Sequence, residues 1–235
     1  MTNLLLLPGL MCDEAVWDFQ VQTLSDIANC SVPDWGSIDS LPGMAEHALK
    51  KAPPRFAVAG HSMGGRVALE IFRQAPDRVE RIALLNTGAD PRKPGEAGEE
   101  EVRKRMALVD LSRKEGMRAM GRVWLPPMIN AARAGDPALV DSILDMLERK
   151  TPDIFEGQQR ALINRLDATP LLGKIRCAAM LLSGREDVWS PPARHAEMAE
   201  KIPGSKLVIV PDCGHMSTME QPRAVADALR NWLLA

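Results

Sequence analysis

Residues 60–65 read Gly-His-Ser-Met-Gly-Gly, between Arg55-Phe-Ala-Val-Ala59 and Arg66-Val-Ala-Leu-Glu-Ile-Phe-Arg-Gln-Ala75. The run before the glycines is short and apolar, as in a buried strand. The run after them spaces its apolar residues as a helix does. Gly60 and Gly64 take Cβ atoms away from the join, so the chain can bend sharply from strand to helix with Ser62 at the tip. A strand, Gly-x-Ser-x-Gly and a helix in succession make the nucleophile-elbow pattern. The helix that starts there turns its N-terminal dipole toward the serine and favours negative charge beside it. A phosphate-binding loop is the rival reading, but no Gly-Lys-Ser/Thr follows. A turn serine with no chemistry is the bland one.

Outward from this stretch, strands and helices alternate. Residues 3–7, Asn-Leu-Leu-Leu-Leu, form an apolar run stopped by Pro8-Gly9, which predicts a buried strand. Asp13 is placed to cap a helix running to about Ile27. Residues 28–35 read as a weak strand, 40–52 as a helix and 79–88 as the next strand. Near the C-terminus, 177–184 and 205–210 read as strands, while 191–201 and 222–234 read as helices. The last has Val225, Leu229 and Leu233 on one face. Such alternation predicts an α/β fold, a mostly parallel sheet of about six strands with helices on both faces.

Between residues 88 and 172 the strand signal stops. Ser112 followed by Glu115 reads as a capping box. Asp136-Pro137 and Thr151-Pro152 each put a capping residue before a proline suited to the first helical position. Basic and acidic residues number 14 each over this span, which argues for amphipathic helices rather than a charged groove. The expectation is an all-helical lid over 88–172, inserted between core segments 1–87 and 173–235. The polar stretch 90–101 is expected to be a mobile hinge.

The totals exclude several classes. Hydrophobic residues make up 46% and charged residues 26% of 235, the balance of a globular domain with an ample core. A net charge of −2 does not suggest a nucleic-acid partner. The cysteines at 12, 30, 177 and 213 form no metal-ligand or redox pair and read as free thiols of a reducing compartment. No run is long enough to span a membrane, and the N-terminus lacks the basic start and cleavage site of a signal peptide. A cytoplasmic protein without metal or cofactor is expected.

A serine hydroxyl needs a base within hydrogen-bond reach and a third group to orient that base. His61 adjoins Ser62 and should point away from it, while His47 and His195 fall within helices. His215 stands in a loop after a strand, at the strand end where α/β sheets place their ligands. The acid of this elbow type lies between serine and histidine in the chain. Asp187, in the turn after the strand 177–184, meets that order; Glu186 and Asp212 are less suited. The oxyanion donors should be the backbone N–H of Met63, directly after the nucleophile, and that of Leu10, after the first strand.

These stretches, Leu5–Asp13, Gly60–Gly65, Gly184–Pro192 and Cys213–Leu233, resemble the α/β-hydrolase fold family over nearly the whole chain. They look most like its small, helical-lidded esterase and lactonase branch. Two departures stand out: Pro8-Gly9 replaces the His-Gly common in the family, and the chain begins at what resembles the third strand. Ser62 argues against the haloalkane dehalogenases, which use an aspartate. The resemblance and the residues together imply hydrolysis of a small-molecule carboxylic ester with a small to medium apolar group. A lactonase, thioesterase or carbon–carbon bond hydrolase with the same three residues is the alternative, and a non-catalytic ligand-binding member of the fold is another. Trp124, Met128 and Trp189 are candidate substrate contacts. Met106, Met117, Met120 and Leu125 are further candidates, although methionines at helical spacing more often pack in a core.

Overall fold

The computed structural model describes residues 1–235. Its elements in order are β1 (Thr2–Leu7), α1 (Asp18–Leu24), β2 (Ala28–Ser31), α2 (Leu41–Lys51), β3 (Phe56–His61), α3 (Met63–Gln74), β4 (Val79–Leu85), α4 (Glu96–Glu115), α5 (Met117–Trp124), α6 (Pro137–Glu148), α7 (Pro152–Ile163), α8 (Thr169–Leu172), β5 (Ala178–Gly184), α9 (Pro192–Lys201), β6 (Lys206–Val210), α10 (Ser217–Glu220) and α11 (Pro222–Leu234). The six strands form one sheet in the order β2-β1-β3-β4-β5-β6, and every neighbouring pair is parallel. All six residues of β3 are buried, as are the last six of β5. Burial at alternate and intervening positions alike means that helices cover both faces of the sheet. On the covering layers α2 packs with α3, and α1 packs with α11.

Local signals explain most element starts. Ser40 accepts a hydrogen bond from the Gly43 N–H and caps α2. Asp136 and Thr151 cap α6 and α7, each before a proline in the first turn. Asp13 also caps, but what it opens is a single 3-10 turn, Glu14–Trp17, before α1.

Two expectations are corrected. Ser112 starts no helix. It lies buried inside α4, where its hydroxyl bonds back to the Val109 carbonyl, a local bond that a helix tolerates. The break falls instead at Gly116, whose φ of 88° suits a residue without Cβ. The polar stretch 90–101 is a loop only as far as Gly95. From Glu96 it is the first turns of α4, where Glu96 and Glu99 complement the helix dipole.

Helices α4 to α7 pack mainly on one another, between β4 and β5 in sequence. Several hydrogen bonds tie this segment to the loops at the C-terminal ends of the strands. The Gln158 amide oxygen accepts from the Met11 N–H, the Met128 carbonyl accepts from the His215 N–H, and the Glu220 carboxylate accepts from the Asn130 N–H. No helix is long and apolar enough to cross a membrane.

Candidate active site

The join between β3 and α3 is built for glycine. A Cβ on Gly60 would stand 2.2 Å from the Gly64 carbonyl oxygen, and one on Gly64 would stand 2.1 Å from the Leu7 carbonyl oxygen. Both are far inside van der Waals contact, so the helix can approach the sheet only because neither position carries a side chain. Ser62 between them adopts φ 54° and ψ −115°, a conformation unusual for a residue with a side chain. Its neighbours fix it. The Ser62 N–H donates to the Leu85 carbonyl, and the Thr87 hydroxyl donates to the Ser62 carbonyl at 2.7 Å.

Ser62, His215 and Asp187 come together from three different strand ends. The Ser62 Oγ lies 2.8 Å from His215 Nε2, and His215 Nδ1 lies 2.9 Å from Asp187 Oδ2. Asp187 and His215 are buried. Burial raises a carboxyl's pKa, but His215, the Ser190 N–H and the Asn86 amide outweigh it and hold Asp187 down at about 2. Asp187 is therefore a carboxylate near neutral pH and can only accept hydrogen bonds. That assigns the proton of His215 to Nδ1 and leaves the Nε2 lone pair facing the serine hydroxyl.

The carboxylate itself is held by four donors. Oδ1 accepts from the Trp189 and Ser190 N–H groups at 2.9 and 2.8 Å, and Oδ2 accepts from Asn86 Nδ2 at 2.9 Å as well as from His215. Asn86 sits at the end of β4 with φ 48°, and its amide oxygen accepts from the Ser217 hydroxyl. His61 lines the same cavity as Ser62 but makes no hydrogen bond to it. Its Nε2–H donates to the His215 carbonyl at 2.8 Å. His195 accepts the Thr87 N–H on Nε2, and His47 lies in α2 away from the cavity. Asp212 has no contact with the His215 ring; its carbonyl accepts from Gln221.

Beneath the His215 loop lies a buried glutamate. Glu220 Oε2 accepts from the Asn130 and Gly214 N–H groups at 2.7 and 3.0 Å, and Oε1 accepts from the Met216 N–H at 3.1 Å. Burial pushes its carboxyl above the ordinary value against the pull of those three donors and Arg133. Neither Asn86 nor Glu220 is singled out by sequence, and His61 enters there only as a rejected base. Only the asparagine carried a signal, a polar residue at a strand's C-terminal end.

A cavity of about 300 Å³ opens on Ser62 and His215, and Leu10 and Met63 line it beside them. The Met63 N–H is the first of α3, one of the donors a helix leaves unpaired. The Leu10 N–H has no acceptor in the protein. Its loop is fixed on either side: Trp35 Nε1 donates to the Pro8 carbonyl and the Met11 N–H donates to Gln158.

Trp124, Met128 and Trp189 all line the cavity, the last 48% exposed. Met106, Met117, Met120 and Leu125 do not. Met117, Met120 and Leu125 are core residues, placed where α5 packs against α6 around Gly121. The expectation that the segment 88–172 presents no charged groove is corrected as well. Arg66, Lys93, Arg105, Arg165 and Arg194 face the cavity with Asp90 and Glu101. Charges balanced over 88–172 are not balanced on the one face that meets the site. No cluster of His, Cys, Asp and Glu has the arrangement of a metal site.

Known proteins place this architecture. The alpha/beta hydrolase family matches residues 4–228. The chain is 29% identical to the pimeloyl-[acyl-carrier protein] methyl ester esterase of Nitrosomonas europaea, over 97% of this chain and 95% of that one. Among solved structures, a thermophilic esterase from Thermogutta terrifontis, bound to malate, superposes with a TM-score of 0.87 at 27% identity, covering 100% of this chain and 90% of that one. The enol-lactonase from Burkholderia xenovorans shares the fold, with a TM-score of 0.83 at 24% identity and coverage of 100% and 92%.

Proposed function

This chain belongs to the alpha/beta hydrolase family, and we propose that within it the chain is a serine hydrolase that cleaves a carboxylic ester through an acyl-enzyme on Ser62. The observation that carries this is the continuous hydrogen-bonded line from Ser62 Oγ through the His215 ring to Asp187. His215 Nε2 takes the hydroxyl proton as Ser62 attacks the ester carbonyl, then returns it to the leaving alcohol. Asp187 keeps the imidazole in the required tautomer and stabilises the imidazolium. Water repeats the sequence on the acyl-enzyme and releases the acid.

The tetrahedral intermediate carries its charge on the former carbonyl oxygen. The Leu10 and Met63 N–H groups are the donors for it, each contributing about 3 kcal/mol to the transition state. These are backbone donors, so Pro8 in place of the family's usual histidine leaves them available. Helices α4 to α7 form the lid, and Trp124 and Met128 bring its apolar contacts to the cavity. A cavity of this size, at the lower end for small-molecule sites, suits a small ester.

Lactones and thioesters pass through the same oxyanion, so the substrate rather than the three residues fixes the bond cleaved. The four unpaired cysteines support work in a reducing cytoplasm. The test is hydrolysis of p-nitrophenyl esters of increasing acyl length by wild type and Ser62→Ala. Turnover that falls by roughly 10⁶ in the variant is expected; equal turnover in the two proteins refutes the role of Ser62.

A further inference from the structure

Hydrolysis of a neutral ester requires none of the arginines in the cavity, yet four face it together with one lysine. Their partners are unevenly distributed. Glu101 serves two of them closely: its oxygens accept from Arg165 Nη1 and Nη2 at 2.7 and 2.9 Å and from Arg105 Nε at 2.8 Å. Asp90 serves the other two poorly. It lies 4.0 Å from Arg66 Nη2 and 3.9 Å from Arg194 Nε, beyond hydrogen-bond distance.

Arg66 is the sharper case. Its side chain is 13% exposed, and its one hydrogen bond runs from Nη1 to the Asp90 carbonyl at 2.8 Å. A guanidinium has five N–H groups to place, and a buried charge is costly unless it is paired. Burial and the nearby charges of Arg165, Arg194 and Arg105 lower it to about 9 despite Asp90. It stays protonated at neutral pH, a buried cation among other cations with no anion within hydrogen-bond distance. Arg194 likewise makes one hydrogen bond, from Nη1 to the Trp189 carbonyl at 3.3 Å.

The two converge on one point. A Cβ built on Gly88 would stand 2.9 Å from Asp90 Oδ1, 3.0 Å from Arg194 Cδ and 3.2 Å from Arg66 Nη2. Any side chain at position 88 would occupy the space over which these groups meet. Arg66 also lies one helical turn after Ser62, an axial rise of about 6 Å. An anion seated there is therefore a few carbon atoms from the attacked carbonyl.

We propose that Arg66 and Arg194, over Gly88, form a seat for a carboxylate, and that the substrate is an ester carrying a free carboxylate a few carbons from the bond cleaved. The forked guanidinium matches a carboxylate with two parallel hydrogen bonds. The half-exposed Asp90 is the seat's internal counter-charge, loose enough to leave Arg66 donors for a ligand. The cleavage of that ester rests on Ser62 acting as proposed above; the seat itself does not.

The test has two arms. In the first, kcat/KM is compared for monomethyl adipate and for methyl hexanoate, its uncharged counterpart of equal length. Wild type is expected to prefer the half-ester by 10-fold or more, with the preference shrinking as sodium chloride is raised. Arg66→Gln and Arg194→Gln should each reduce the ratio by roughly 10-fold. Hydrolysis of both esters at equal kcat/KM overturns the seat while leaving Ser62 its role.

The second arm needs no turnover. Sodium adipate and adipamide are titrated calorimetrically into Ser62→Ala and into the same protein with Arg66→Gln added. Adipate is expected to bind Ser62→Ala at least 10-fold tighter than adipamide and to lose that advantage with Arg66→Gln. Adipate binding with no ester hydrolysed would support the seat and count against the esterase. Equal affinity for adipate and adipamide overturns the seat.

Discussion

Glu220 is expected to control both the stability of the fold and the placement of His215. Its carboxylate is 2% exposed and accepts three backbone N–H groups, from Asn130, Gly214 and Met216. Two of these donors flank His215, and the third belongs to the segment over the cavity. In Glu220→Gln the amide oxygen can keep the Asn130 and Gly214 donors. The NH2 group then faces the Met216 N–H, donor against donor. One unsatisfied buried donor costs about 1–3 kcal/mol, so a loss of about 2 kcal/mol is expected, a sizeable part of a domain's 5–15 kcal/mol. Glu220→Ala strands all three donors and should cost roughly 5 kcal/mol on the same scale.

The effect should reach the chemistry, because a shift near 1 Å in a reacting group costs about 100-fold. For Glu220→Gln kcat should fall at least 10-fold in protein that circular dichroism shows to be folded. Urea unfolding gives the stability, and p-nitrophenyl acetate hydrolysis at 15 °C gives kcat. Wild-type values of both in Glu220→Gln would refute the clamp. A stability loss with kcat unchanged would confine Glu220 to a structural role.

Two further outcomes are expected. Asp187→Asn retains most of its contacts but offers His215 an amide, which favours the wrong tautomer; kcat should drop by roughly 10⁴, and a loss under 10-fold in steady-state assays would contradict the assignment. Stability should fall in mild acid through two buried histidines. Burial lowers both His61 and His195 from 6.5 to about 4, and His195 Nε2 must stay unprotonated to accept the Thr87 N–H. The unfolded chain binds those protons from pH 6.5 downward while the folded one refuses them until about pH 4. Each therefore contributes stability that is present above pH 6.5 and is lost as pH falls, on the order of 3 kcal/mol apiece by pH 4. Urea midpoints at pH 7, 6 and 5 check this; a flat series would contradict it.

How much of this was legible depended on the range of each signal. The elbow was readable because Gly60, Ser62 and Gly64 are neighbours and their geometry is local. Asp187 and His215 were readable because each sits in a turn directly after an apolar strand, where chain order and sheet topology limit the choices. The capping of α6 and α7 was local too. Ser112-x-x-Glu115 misled because the same residues that cap a helix can also sit inside one, and Gly116 set the boundary instead.

The supports of the site were hidden for a different reason. Asn86 and His61 bond to groups more than 100 residues away in the chain, and Glu220 joins Asn130, 90 residues away, to the nearby Gly214 and Met216, pairings that the local sequence does not reveal. The arginines were hidden by averaging. Equal numbers of charges along 88–172 said nothing about which of them the fold turns inward, and Arg66 and Arg194 lie outside that segment altogether.

The central claim is that His215 and Asp187 make Ser62 a nucleophile. The most direct measurement is peptide mapping by mass spectrometry after treatment with a fluorophosphonate. The account predicts one label per chain on the tryptic peptide Phe56–Arg66, lost in Ser62→Ala and formed far more slowly in His215→Ala. No label on wild type, a label on another peptide, or equal labelling rates in wild type and His215→Ala would contradict it.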